Sequence, residues 1–225
     1  MQVRVDSPCR RNQEIAFTYD NITFKRPLPA SGTGLVTSDL FAGDKTSVEL
    51  TFADETRRVL PVAALDLDKV SKVAIRWRAP VNLDLHVFEH AASAGQPGHV
   101  WANAPSSSEA ALKSVQASGR GHGFFTALDD GDGDKVEVYT YVHGERDTDG
   151  SIAMALDHET RGSQPAEATC GQGALAKVDF GVTMLSRKGD VVRASGAFKP
   201  ARCNQPLSPV ERFDYALMPV IAMRN

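Results

Sequence analysis

No run in this chain approaches the ~18 consecutive apolar residues of a membrane-crossing helix, so the sequence predicts no membrane insertion. Met1 to Arg10 lack the apolar stretch that forms the middle of a signal peptide. A basic excess is missing too: 25 Lys and Arg stand against 28 Asp and Glu, for a formal charge of −3. The basic residues are scattered, which leaves no electrostatic case for nucleic acid or an anionic membrane as partner. Cysteine is scarce. Cys9, Cys170 and Cys203 include no pair at the spacing of a metal knuckle, which argues against a structural zinc site built on thiolates. Internal repeats, low-complexity tracts and a recognisable linker are also absent. The chain therefore reads as one domain over 1–225, with a boundary near 61–66 as the alternative.

What the chain has instead is enough apolar material for a core, 42% hydrophobic residues with 24% charged. It is arranged as short apolar/polar alternations separated by turn residues, the signature of strands with one buried face. Glu14–Tyr19, Ser47–Phe52, Arg57–Val62, Val70–Trp77, Leu83–Val87, Lys135–Tyr141, Ile152–Leu156 and Phe213–Met218 all read this way. In the Val70 strand, Val73, Ile75 and Trp77 fall on one face. One helix is predicted near 107–118: Ser106-Ser107-Ser108-Glu109 has the form of a capping box, and Gly119 supplies a stop. The expected fold class is all-β, an antiparallel β-sandwich of jelly-roll-like form with that one short helix.

Leu175–Ser186 and Asp190–Phe198 flank the turn Arg187-Lys188-Gly189 and predict a hairpin whose open end lies between Cys170 and Cys203. A disulfide there would close a loop of 32 intervening residues, 171–202. In the chain-entropy account it contributes about 3–4 kcal/mol. Two reduced, buried thiols are the other outcome. The bridge argues for an oxidising compartment, hence a periplasmic or extracellular protein whose Met1 is a supplied start residue; a cytoplasmic chain is the alternative.

The stretch from Trp77 through Asn82-Leu83-Asp84-Leu85-His86-Val87-Phe88-Glu89, with Gly98-His99-Val100-Trp101 after it, resembles a strand pair of bacterial pre-peptidase C-terminal domains. The resemblance covers about a quarter of the chain. It implies an exported, jelly-roll-like accessory module, of a kind in which some members bind calcium or carbohydrate. Asn82 stands where the family has its first aspartate, and Asp84 matches the second, so the implied metal set is incomplete.

Several local patterns carry chemistry. His86-Val87-Phe88-Glu89-His90 fits the H-x-x-E-H string of inverted zinc peptidases. Histidines four apart share an ion only on a helix; on a strand they stand ~13 Å apart. The preceding alternation predicts a strand and removes that site. Asp129, Asp130, Asp132 and Asp134 alternate with Gly131 and Gly133, a curl able to converge carboxylates on calcium. With Lys135 and Tyr141 at the sixth and twelfth positions the EF-hand pattern is not met, and a solvated turn is the other reading. Gly119-Arg120-Gly121-His122-Gly123 is expected to be a mobile surface loop. Trp77 and Trp101 are candidates for stacking on a sugar or, more ordinarily, for the core. These patterns favour a non-catalytic exported binding, adhesion or accessory module whose ligand is an unspecified protein or carbohydrate. The alternative is a hydrolase assembled from the Asp129–Asp134 loop, His86, His99 and His122.

Overall fold

The computed structural model describes residues 2–20, 22–37, 39, 41, 45–63, 67–78, 83–129, 133–147, 152–157, 178–198 and 215–217. Residues up to Ala63 form β1 (Gln2–Asp6), β2 (Glu14–Tyr19), β3 (Ile22–Pro27), β4 (Thr33–Thr37), β5 (Lys45–Phe52) and β6 (Arg57–Ala63). Then come β7 (Val70–Arg78), β8 (Asp84–Glu89), β9 (His99–Val100), helix α1 (Ser108–Ser118), β10 (His122–Asp129) and β11 (Asp134–Val142). β12 (Ile152–Asp157), β13 (Val178–Leu185), β14 (Val191–Phe198) and β15 (Tyr215–Leu217) complete the series. Every pairing among these strands is antiparallel.

The strands stack in layers around a five-stranded sheet of order β10-β11-β7-β13-β14. Its central strands β7 and β11 are buried on both faces, and successive residues along them enter alternate cores. Val73, Ile75, Trp77, Tyr139 and Tyr141 pack against Leu85, Val87, Ile152, Met154 and Leu156 of the sheet β15-β12-β8-β9. Ala74, Val136 and Val138, on the opposite face, join a second core with Ile15, Phe17, Phe24, Val48 and Leu50 of the sheet β3-β2-β5-β6. The β1–β4 ribbon adds Val3 and Val5 to that second core. Of the 61–66 region, Pro61 to Ala63 end β6, and the second core draws residues from both sides of it. An ion pair between buried Lys72 and half-buried Asp39 is further held by Thr140 Oγ1 at 3.0 Å from Asp39 Oδ2.

The all-β, sandwich-like architecture is the expected one, and most of the alternating runs are strands. Two local expectations change. The helix begins one residue later than the capping box implies: Ser107, not Ser106, accepts the Ala110 N–H at 3.1 Å. Ser106 sits at φ 48, outside the helix. Gly119, in the left-handed conformation at φ 70, ends it as expected. The Gly119–Gly123 stretch is not a mobile loop: Gly121 and Gly123 are buried and β10 starts at His122. The β13–β14 hairpin forms around Gly189 at φ 84. Cys9 is exposed and free, whereas Cys170 and Cys203 lie outside the described residues.

Candidate functional site

Strand β11 carries Tyr139 and Tyr141 on one face, leaning over Gly123 of β10 and Gly121 just before it. A Cβ on Gly123 would sit 2.3 Å from the Tyr139 ring, and one on Gly121 would sit 2.3 Å from that of Tyr141. Glycine is required here for close approach rather than for a special φ. Each tyrosine hydroxyl then reaches a carboxylate that the neighbouring glycine N–H also contacts. Glu89 Oε1 accepts Tyr139 Oη at 2.8 Å and Gly123 N at 2.7 Å, and its Oε2 lies 3.0 Å from His122 Nδ1. Asp147 Oδ1 accepts Tyr141 Oη at 3.1 Å and the Gly121 N–H, while its Oδ2 accepts Gly144 N at 3.0 Å. That second oxygen lies 3.4 Å from His143 Nδ1, and His143 Nε2 is 2.7 Å from Ser71 Oγ.

Two tyrosine–carboxylate–histidine units therefore stand side by side at one end of the sandwich, repeated at two-residue intervals along β10 and β11. Their exposures separate their chemistry. Ser71 is 2% exposed, so the Ser71–His143–Asp147 array presents no hydroxyl to a substrate and instead ties β7 to the segment after β11. Burial pushes the His143 imidazole below its ordinary value, with the Arg187 guanidinium acting the same way and the Asp147 carboxylate opposing both. Burial also raises the Tyr139 hydroxyl well above 10, reinforced by the Glu89 charge, so Tyr139 stays a proton donor to Glu89.

The His143 shift has a measurable consequence. As pH falls, the unfolded chain protonates this histidine first, near 6.5, while the folded chain resists. The stability it contributes is complete above that value and declines as pH falls through it towards the lower folded value. Between about pH 7.5 and 5 the urea midpoint of the wild-type chain should therefore fall more steeply than that of His143→Gln. Parallel pH profiles would show that His143 titrates alike in both states.

The other unit opens outward. Glu89 is buried, but His90 and His122 are half-buried, and one donor atom from each of the three lies within 4.8 Å of the others. It is the single grouping of three or more His, Cys, Asp or Glu side chains with this closeness among the described residues. His90 Nε2 lies 2.8 Å from the Gly121 carbonyl, and His90 Nδ1 lies 3.1 Å from a guanidinium nitrogen of exposed Arg120. His90 and Ala91 occupy the two central positions of a turn closed by Ala92 N to Glu89 O at 3.0 Å, with φ 54 and 62. Positive φ at both central positions is the pattern of a I′ turn, which favours Asn-Gly, so a His-Ala pair there is strained.

Of the H-x-x-E-H string, then, Glu89 and His90 meet the distant His122, while His86 goes elsewhere. His86 Nδ1 lies 2.8 Å from His99 Nε2, in a ring stack that includes Phe88 and Trp101 on the outer face of β8 and β9. His86 and His99 are 3% and 9% exposed, and burial lowers His99 below its ordinary value. Trp77 is in the core. Comparison of the chain with known protein families, curated proteins and solved structures finds no match. The site thus stands on its geometry. Asp134 Oδ2 accepts the Thr23 N–H at 3.1 Å. The Asp129 side chain, Asp130 and Asp132 lie outside the described residues, so the calcium curl is not placed. No helix among the described residues is long and apolar enough to cross a membrane.

Proposed function

We propose that this chain is a non-catalytic β-sandwich module of an exported protein, and that it binds a transition-metal ion, zinc foremost, through Glu89, His90 and His122. The observation that carries the reading is the convergence of those three donors within 4.8 Å at the open end of the sandwich. Two imidazoles and a carboxylate are the donor set that suits zinc. Bonds of ~2.0–2.2 Å to a tetrahedral ion bring donor atoms to about 3.3–3.6 Å of one another. The half-buried imidazoles must therefore close by roughly an ångström, exchanging the Gly121 contact and letting the exposed Arg120 swing away. Strain at His90 supports the same reading, because strained residues gather where function demands a particular side chain. Three protein donors leave one position of the ion for water or for a donor from a protein or carbohydrate partner. Export rests on the Cys170 and Cys203 pair flanking the β13–β14 hairpin. The hydrolase alternative loses ground because two of its members, His86 and His99, are nearly closed to solvent.

Zinc titrated into the metal-free protein is expected to bind at one equivalent. His90→Ala and His122→Ala should each weaken it by more than about 100-fold, beyond what loss of an outer-shell partner costs. His86→Ala should leave the affinity unchanged. Loss of zinc on His86→Ala, or its retention on His122→Ala, would overturn this assignment.

A further inference from the structure

We infer a second binding site, for a small apolar molecule of single-ring size, in the cavity between the β1–β4 ribbon and the sheet beneath it. The cavity has a volume of about 220 Å³ and is walled by Val3 and Val5 of the ribbon, Ile15 and Phe17 of β2, Val48 of β5 and Leu128 of β10. All except Leu128 belong to the second core as buried residues, while Pro29, Leu35 and Thr37 at its rim are exposed, so the space runs from the core to the surface. Leu35 also lines it and is 61% exposed, which marks the way in.

Protein interiors are packed like organic crystals, and voids much larger than a water molecule are few. Water does not stabilise this one. A buried water needs two to four polar partners, and the wall is built mainly of valine, isoleucine, leucine and aromatic side chains. Of the polar groups that line it, the Tyr19 hydroxyl accepts the Phe41 N–H at 2.9 Å and the Arg26 guanidinium donates to the Lys25 carbonyl at 2.7 Å. An apolar cavity of about 150 Å³ is enough to take up benzene. This one has room for a ring with a small substituent, and Phe17, Tyr19 and Phe24 offer it ring edges and faces. The site uses none of Glu89, His90 and His122, so it stands whether or not zinc binds.

The test is a titration of the full chain, methyl-labelled at Val, Leu and Ile, with toluene. Shifts should be confined to the methyls that line the cavity, those of Val3, Val5, Ile15, Leu28, Leu35, Val36, Val48 and Leu128. Toluene at about ten times its Kd should raise the Tm by about 3–6 °C. Val48→Phe fills the cavity and should abolish both effects while the remaining methyl spectrum stays dispersed. If that variant does not fold, Val3→Phe fills the same space from the ribbon side. Absent shifts, shifts spread over surface methyls, or binding that survives in a folded, cavity-filled variant would each overturn the site.

Discussion

Glu89→Ala is expected to destabilise the protein by about 3–5 kcal/mol, the range for removing one partner of a buried charged network. Glu89 is 3% exposed and holds three groups at once: the Tyr139 hydroxyl, the Gly123 N–H and the His122 imidazole. Tyr139 and Gly123 are themselves buried. Each buried donor left unsatisfied costs about 1–3 kcal/mol. Glu89→Gln keeps a carbonyl oxygen in place of Oε1 and should recover at least half of the loss. Urea unfolding with an unchanged m-value measures this directly. A loss below about 1 kcal/mol would mean that water replaces the carboxylate and that the site end is open to solvent. The Gln variant also divides the roles of Glu89, since it should retain most of the stability while binding zinc more weakly.

Gly123→Ala should be nearly as damaging, although it adds a single methyl. The new Cβ meets Tyr139 ring atoms at 2.3 Å, and Tyr139 is 0% exposed with no space to retreat into. Overpacking of a core costs about 1–3 kcal/mol and sometimes more, and here the upper part of that range or beyond is expected. The proof is a double-mutant cycle. Tyr139→Leu removes the obstructing ring, so Gly123→Ala should be far less harmful in that background, with a coupling of about 1–3 kcal/mol. Gly189→Ala is the control: nothing lies within 4 Å of its Cβ, and only the positive φ of 84 opposes it. Additive losses at Gly123 and Tyr139 would show that the ring is not what excludes a side chain from position 123.

These same residues show what sequence could and could not disclose. Period-two alternation was legible wherever a strand has one packed face, as in Glu14–Tyr19, whose buried positions are Ile15, Phe17 and Tyr19. It failed at β10 because Gly121 and Gly123 look like loop residues until the rings of Tyr139 and Tyr141 are placed above them. The exclusion of an ion between His86 and His90 followed from strand geometry, and β8 is a strand. The meeting of Glu89 and His90 with His122 was not legible, because it depends on how β8 and β10 are brought together from opposite sheets. Nothing close to His90 in the chain announces that third donor. The hairpin between the Cys170 and Cys203 segments was readable because its turn is local.

The turn at His90 and Ala91 carries one more consequence. Left-handed conformations at two successive non-glycine residues make the wild-type turn less stable than the same turn built from Asn-Gly. A copy of this protein with no task for the imidazole would gain stability by drifting through His90→Asn and Ala91→Gly, and the turn itself would offer no resistance on the way. Replacing the pair with Asn-Gly is therefore expected to stabilise the turn while removing the His90 imidazole, so that stability and the proposed metal affinity move in opposite directions.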